Sequence, residues 1–343
     1  MPNLRYIVHV FIILVALVIA CFTSGFTEDF SRDIILFSKE KISNPPNIDQ
    51  NSVDSLGVPY TNYGYYGDTY IGQQRNPVHI CQMSFEYYDH FMQGDYAARE
   101  KVISCADWLI ENANYSGNYA ILDYSFPWPM YNMTPPWHSG MAQGLTLQTM
   151  ILAHKITHDE KYLSYGDLVV KSFYVDVDDG GVTQKTINDG WWYEEYASTH
   201  GDNPRVLNGM MYALLGLYDY YAYTGNPDAK DLFDLGVLAL EKEIALYDDD
   251  GYSYYDILGN PAHKYHPIHI ELSHKLYTLT GKEVFLYYSN KWETYDRAYF
   301  VVRLLKEPSK LNLAILLFNG TVIFIGLEGL AYLWYIKRGK NQI

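Results

Sequence analysis

The chain has 343 residues, enough for one large domain or two ordinary ones, and its formal net charge is −15. That charge argues against a nucleic-acid partner, because binding to phosphates needs a basic surface, and against an anionic substrate unless the site is locally basic. Tyrosine accounts for 35 residues, a surplus that suits either a groove for a hydroxyl-rich ligand or a core with polar edges.

The N-terminus carries an apolar run from Tyr6 to Phe22. We predict that residues 1–26 are a signal peptide or an N-terminal membrane anchor. The residues before Cys21 also resemble a bacterial lipobox, in which this cysteine would be lipidated. Residues 27–75 are predicted to be a linker, with Asn44-Pro-Pro-Asn47 in its polar part, followed by a Tyr/Gly-rich edge segment. Within that segment, residues 59–74 indicate a loop or a short hairpin lying against a groove.

A second apolar run, Leu311–Ile336, is long enough to be a transmembrane helix. Lys337, Arg338 and Lys340 follow it, which predicts a cytoplasmic C-terminus and an extracytoplasmic catalytic domain. The alternative is a buried amphipathic helix. Because Glu328 lies inside the run, where a charge is costly, a spanning helix needs a partner for it or a shifted position.

Paired helical patterns dominate the middle of the chain. Four pairs, each broken by a Gly, Asn or Asp turn, occupy residues 76–112, 141–173, 208–246 and 269–295. Such a repeat predicts an all-α fold, an (α/α) barrel or toroid over residues 76–300, because each helical pair buries its apolar face on its neighbours. The insertions 113–140, 174–207 and 247–268 should form long loops or short β-hairpins at one end and build a cleft.

The insertions carry the residues suited to chemistry. In the first, four prolines between positions 127 and 136 hold Trp128, Tyr131, Trp137 and His138 on an extended edge, and Ser139 caps the next helix. In the second, aromatic residues flank Glu194 and Glu195 within Trp191–Gly209. Aromatic faces stack on sugar rings, and carboxylates and phenols carry protons in carbohydrate chemistry. The alternative is an aromatic loop packed on the core with its glutamates in water.

Neither a metal nor a cofactor is predicted. HExxH and CxxC patterns do not occur, and Cys81 and Cys105 are expected to be core thiols. The acidic stretch Asp248–Gly251 resembles part of a calcium loop but lacks the closing glutamate. His263, His266 and His269 are spaced by three, but Pro267 interrupts the helix that would align them, so substrate contact or packing is favoured.

Several short motifs resemble the D-glucuronyl C5-epimerases of heparan sulfate and heparosan, over roughly residues 60–295 and in the family's order. They are Ser139–Gly144, Trp192–Tyr196, Val206–Gly209, Met211-Tyr212, Gly216–Asp219, Tyr255-Asp256, Tyr265-His266 and His269-Ile270. The family's catalytic domain is an (α/α) barrel, which agrees with the repeat of helical pairs. The resemblance implies a uronic-acid polysaccharide as substrate. The apolar terminal runs imply a membrane as the setting, and a homodimer is left open.

The resemblance also implies site residues. Glu195, Tyr196, Tyr255 and Tyr265 map to functional positions of the family. We expect substrate contacts from a further set: Trp137, Gln143, Trp192, Arg205, Asn208 and His266. Animal members follow the Tyr-Asp pair with Leu-Arg, whose arginine helps hold the substrate carboxylate; here Ile257-Leu258 stand instead. Arg75, Arg205 or Lys264 are the candidate replacements. The extra β domain of the animal enzymes is largely missing.

Inversion at C5 of a uronic acid removes a proton next to the carboxylate and returns one to the opposite face, so two acid/base groups must flank the ring. Our hypothesis places Tyr265 opposite Glu195 or Tyr196, with Tyr255 hydrogen-bonding the enolate. The alternatives are a polysaccharide lyase that expels the C4 substituent, a glycoside hydrolase that uses Glu194 or Glu195, and a membrane-anchored glycan-binding protein without turnover.

Overall fold

The computed structural model of the chain describes residues 2–28, 30–31, 34–35, 52–187, 189–296, 299–306 and 310–340. The predicted Asn44-Pro-Pro-Asn47 turn lies outside these residues. Two compact units are present. The larger comprises residues 48–293, and the smaller combines residues 1–47 with residues 294–343. The Tyr/Gly-rich segment 59–74 therefore belongs to the larger unit.

The larger unit is built from four helical hairpins, as the repeat predicted. Their helices are α1 Pro77–Met92, α2 Tyr96–Glu111, α3 Gly140–Thr157, α4 Lys161–Ser172, α5 Leu207–Thr224, α6 Pro227–Glu243, α7 His266–Thr280 and α8 Glu283–Asp296. The first helices of the pairs pack side by side in the order α1, α3, α5, α7 and form an inner layer, and the second helices pack outside them. This arrangement confirms the (α/α) fold.

The inner helices α3 and α5 approach each other backbone to backbone. A β-carbon added to Gly216 would lie 2.1 Å from the carbonyl oxygen of Gly144, and one added to Gly144 would lie 2.7 Å from the α-carbon of Ala213. Only glycine permits so close an approach. At the start of α3, the Ser139 hydroxyl accepts a hydrogen bond from the amide of Ala142, which confirms the predicted cap.

Each insertion precedes an inner helix, so the three insertions meet at the N-terminal end of the inner layer. They form the hairpins β6–β7 (Ala113–Ser116 and Tyr119–Leu122), β8–β9 (Thr183–Lys185 and Trp191–Tyr193) and β10–β11 (Asp248–Asp249 and Tyr252–Ser253). Hydrogen bonds join different insertions: His138 pairs with Ala197 through the backbone, and Tyr131 donates to Asp256 at 2.6 Å. The predicted gathering of loops at one end is confirmed.

The chain before α1 forms the strands β1 Ser52–Val53, β2 Pro59–Asn62, β3 Tyr65–Tyr66, β4 Thr69–Tyr70 and β5 Gln73–Gln74. All pairings are antiparallel. β2 pairs with β1 and β5, and β3 pairs with β4, so residues 59–74 make one hairpin with an irregular middle.

Two stretches considered as metal sites have ordinary protein contacts. Asp248 accepts hydrogen bonds from Lys291 at 2.5 Å and from the indole of Trp292 at 2.9 Å. His266 and His269 each bring Nδ1 to 2.8 Å from the Ser253 hydroxyl. Cys81 and Cys105 are free and fully buried, as predicted.

The smaller unit contains the helices Pro2–Thr23 and Lys310–Lys340. By length and composition, two segments could cross a membrane, Tyr6–Thr27 and Asn312–Lys337. They pack against each other, and the Nδ1 atom of His9 lies 2.6 Å from the Glu328 carboxylate. Glu328 therefore has the partner that an acidic residue inside an apolar helix requires. Ser31 donates a second polar contact to Asn319 at 2.8 Å.

Candidate active site

A cavity of about 420 Å³ opens at the N-terminal end of the inner layer. The inner helices supply its floor through residues in their first two turns: Val78 and Gln82, Met141, Asn208 and Tyr212, and Ile268. The walls come from the insertions and from the hairpin 59–74. Because loops from four separate parts of the chain converge here, this end can carry a site while the helices hold its shape.

The four residues predicted to be catalytic lie together in this part of the structure. The Glu195 side chain lies near the hydroxyl groups of Tyr196 and Tyr255, which favour its charged form. The rings of Tyr255 and Tyr265 stack with their centroids 4.7 Å apart. Glu195, Tyr196 and Tyr265 line the cavity. The four side chains therefore form one cluster, with Tyr255 between Glu195 and Tyr265.

Burial sets the protonation of these groups. It raises the pKa of Glu195 to about 7, although the nearby hydroxyl groups of Tyr196 and Tyr255 work in the opposite direction. Burial, with a further effect of the nearby Glu195 charge, raises the pKa of Tyr265 to about 12 and the pKa values of Tyr196 and Tyr255 well above 10. Near neutral pH the carboxyl group gains or loses a proton readily, whereas the phenols keep theirs.

Neighbouring backbone holds Glu195 in place. It follows strand β9 and lies over Gly209 at the start of α5, where an added β-carbon would be 2.4 Å from its Oε2 atom. The adjacent Glu194 points the other way: it is fully buried, and its Oε2 accepts the backbone N–H of Arg205 at 2.9 Å. Burial raises the pKa of Glu194 to about 8. The two glutamates therefore face different surroundings although they are sequence neighbours.

Asp256 organises the loop that carries Tyr255. This fully buried carboxylate accepts hydrogen bonds from the Tyr131 hydroxyl and the Asn260 side chain, both at 2.6 Å, and from the backbone amides of Leu258 and Asn260. The carbonyl of Tyr255 in turn accepts the first amide of α5, that of Leu207, at 2.9 Å. These bonds attach the Tyr255 loop both to the first insertion and to an inner helix.

Only one of the three candidate cations lines the cavity. Arg75 donates to Asp54 and to the carbonyls of Val58 and Pro59. Arg205 donates to Glu243 at 2.8 Å and to Gln184 at 3.2 Å. Lys264 lines the cavity, and its Nζ atom lies 5.1 Å from the centre of the Tyr265 ring.

The part of the chain that forms this site matches a known protein family. The family model described as D-glucuronyl C5-epimerase C-terminus matches residues 116–294. The chain belongs to this family. It is a carbohydrate-modifying enzyme of an epimerase family, and the matched residues include Glu195, Tyr196, Tyr255, Lys264 and Tyr265.

Known proteins resemble this chain over different shares of its length. The uncharacterized protein MJ1128 of Methanocaldococcus jannaschii is 29% identical over 315 residues, covering 85% of this chain and 98% of its own length. The D-glucuronyl C5-epimerase of Caenorhabditis elegans is 32% identical over 213 residues, which is 56% of this chain but only 34% of that protein. Among solved structures, a D-mannose isomerase has a TM-score of 0.49 and 10% identity, with 77% of this chain and 69% of that chain covered.

Of the six residues expected to contact the substrate, Trp137 and Asn208 line the cavity. The other four have structural contacts elsewhere. Gln143 is fully buried and bonds with Ala120, Leu122 and Ser172; Trp192 stacks on Tyr247 at 5.5 Å; Arg205 pairs with Glu243; and His266 stacks on Tyr252 at 4.3 Å. Gln143, Trp192 and His266 are buried away from the cavity, and Arg205 is held by its ion pair. We do not include them in the proposed site.

Several cavity residues were not among the predicted site residues. Tyr63 comes from the hairpin 59–74, Trp128 from the first insertion and Tyr212 from the second turn of α5. The interleaved tyrosines and glycines of residues 59–74, and the aromatic edge that contains Trp128, were the available signals. Neither pattern says which ring faces the cavity, because that depends on how the loops pack.

Proposed function

We propose that the chain is a D-glucuronyl C5-epimerase that converts D-glucuronyl to L-iduronyl residues in a uronic-acid polysaccharide. The observation that carries the proposal is that one carboxyl group with a near-neutral pKa, the two protonated phenols of Tyr196 and Tyr265, and one lysine line a single cavity. Inversion next to a carboxylate needs a base, an acid and a positive charge, and it needs no redox step.

In the proposed reaction, the Glu195 carboxylate takes the C5 proton and becomes the acid. The electron pair left at C5 spreads into the substrate carboxylate, where Lys264, which lines the cavity, stabilises the added negative charge. Tyr265 then donates its hydroxyl proton to the opposite face of C5. The Tyr255 hydroxyl, which lies near both Glu195 and Tyr265, then relays the proton on Glu195 to the Tyr265 phenolate, which restores both groups.

We further propose that the two apolar helices anchor the enzyme in a membrane, with the catalytic unit outside and the C-terminus in the cytoplasm. The support is the length of both helices and the cluster of basic residues 337–340 after the second.

The test is incubation of the full chain, in detergent, with heparosan in deuterated water. We expect iduronyl residues that carry deuterium at C5, and no products with the ultraviolet absorbance of an unsaturated sugar. Accumulation of such absorbing products would show a lyase instead. In the same assay, Tyr265→Phe should abolish inversion while circular dichroism shows an unchanged helical fold. Near-normal inversion by that variant would reject the role of Tyr265.

A further inference from the structure

A buried network of polar side chains reaches the cavity through Asn208. This residue lies in the first turn of α5 and lines the cavity. His269, in the first turn of α7, brings Nε2 to 3.5 Å from Oδ1 of the Asn208 amide. The Nδ1 atom of His269 lies 2.8 Å from the Ser253 hydroxyl, which also lies 2.8 Å from Nδ1 of His266. None of these four residues is more than 1% exposed.

One backbone amide fixes the direction of the hydrogen bonds in this network. The N–H of Ser253 donates to Nδ1 of His266 at 3.1 Å, so that ring nitrogen carries no proton. The Ser253 hydroxyl lies beside the same nitrogen and must therefore donate its only proton to it. The hydroxyl oxygen can then only accept from His269. It follows that Nδ1 of His269 carries a proton.

The protonation of His269 decides how the Asn208 amide is turned. Burial, with a smaller effect of the neighbouring His266, lowers the pKa of His269 to about 3, so the ring is neutral. A neutral imidazole has one N–H group and one lone pair, and Nε2 of His269 can therefore only accept. A carbonyl oxygen opposite Nε2 would oppose two acceptors. The amide turned by 180° about its last bond places NH2 there instead and leaves its carbonyl oxygen for a ligand in the cavity.

We propose that His266, Ser253 and His269 are positioning residues that turn the carbonyl oxygen of Asn208 into the cavity, where it accepts a hydrogen bond from a ring hydroxyl group of the uronate. This role deepens the proposed function, and rests on it in that the cavity is taken to bind a uronate. The substrate carboxylate has no proton to donate at neutral pH, so the Asn208 oxygen selects a hydroxyl group while Lys264 pairs with the carboxylate.

The protonated ring nitrogens can be measured directly and without a ligand. In the full chain labelled with nitrogen-15 histidine, nitrogen chemical shifts at pH 7 separate protonated from unprotonated ring nitrogens. The variants His266→Gln and His269→Gln assign the two sets of signals. We expect the proton of His266 on Nε2 and the proton of His269 on Nδ1. A proton on Nε2 of His269, alone or together with one on Nδ1, would overturn the proposal.

Ser253→Ala tests the consequence for a ligand. It removes the acceptor for Nδ1–H of His269, so the proton should move to Nε2 and the Asn208 amide should turn its NH2 group to the cavity. Binding of methyl glucuronide is compared with binding of its 2-fluoro and 3-fluoro analogues by ligand-observed nuclear magnetic resonance, because fluorine cannot donate a hydrogen bond. The wild type should bind one fluoro analogue roughly three- to tenfold more weakly than methyl glucuronide, the value of one hydrogen bond. In Ser253→Ala this difference should fall below about twofold.

Ser273→Ala is the matched control. Ser273 is a fully buried serine in α7, the helix that carries His269, so the variant removes the same group from a comparable place. It should keep the wild-type preference for the hydroxyl group. Equal loss of the preference in both variants, or no preference in the wild type, would overturn the proposal. A preference that depends on Ser253 without any C5 inversion would reject the proposed reaction and leave the positioning role standing.

Discussion

Replacing Glu195 by glutamine tests the proposed base directly. The substitution keeps the size of the side chain and an oxygen able to accept from Tyr196 and Tyr255, but removes the group that takes the proton. Loss of a general base costs roughly 10²- to 10⁴-fold in rate. We therefore expect Glu195→Gln to lose inversion of heparosan by about that factor, measured as iduronyl content by nuclear magnetic resonance.

The raised pKa of Glu195 also predicts how activity depends on pH. Since the base is active when ionised and its pKa is about 7, kcat/KM of the wild type should rise roughly tenfold between pH 6 and pH 8. The rise should be the same starting from either epimer. The forward and the reverse reaction both need the enzyme form in which one of the two groups, Glu195 or Tyr265, is protonated and the other is not. The equilibrium between the two epimers does not depend on pH.

The same pKa predicts a stability effect of opposite sign. Burial raises the pKa of Glu195 from 4.5 to about 7, so the native state binds this proton more tightly than the unfolded state. Stability is therefore lost as the pH rises from about 4.5 to 7. Each tenfold change in proton affinity is worth about 1.4 kcal/mol, which makes this loss about 3 kcal/mol. Glu195→Gln should lose about 3 kcal/mol less than the wild type between pH 4.5 and pH 8 in urea unfolding.

Glu194 provides the matched control. Glu194→Gln removes a carboxyl group of the same size that is also buried and also has a raised pKa, but its contact is the backbone N–H of Arg205, which an amide oxygen can still accept. This variant should keep inversion and the pH profile of the wild type. Wild-type inversion by Glu195→Gln, or an equal loss in both variants, would refute the assignment of Glu195 as the base.

Two further predictions concern the cavity and the scaffold. Lys264→Met should weaken binding of a heparosan oligosaccharide about ten- to a hundredfold, which is the value of a charge-assisted hydrogen bond. Binding of the carboxyl-reduced oligosaccharide should be unchanged. Equal loss of affinity for both ligands in calorimetry would contradict the role of Lys264. Gly216→Ala should lower the free energy of unfolding, measured by urea titration, by at least about 1–3 kcal/mol. The reason is that the added β-carbon would lie 2.1 Å from the Gly144 carbonyl oxygen. An unchanged unfolding midpoint would contradict the close approach of α3 and α5.

Much of the fold was predictable from the sequence because its signals are local. The helical periodicity, the Gly and Asn turns and the Ser139 cap act within a few residues, so the helical hairpins follow from the pattern. The apolar runs near both ends are visible in the composition. The gathering of the insertions at one end was also predicted, because the insertions lie between successive helical pairs.

The site was predictable only in part. The resemblance to the epimerase family named Glu195, Tyr196, Tyr255 and Tyr265, whose grouping the structure describes and whose catalytic roles stay predictions. Reasoning from residue types alone could not choose between Glu194 and Glu195. The structure separates them, because one carboxyl turns into the protein toward the Arg205 backbone and the other turns toward the cavity.

The sequence by itself determined the helical pairs, the apolar termini and the kinds of side chain available near the insertions, since periodicity and composition are read along the chain. Only the tertiary structure decided which of those side chains reach the cavity. Arg75 and Arg205 are held by carboxylates and carbonyls, whereas Lys264 lines the cavity. Side-chain direction depends on how distant segments pack, and a buried polar group takes whatever partner that packing supplies.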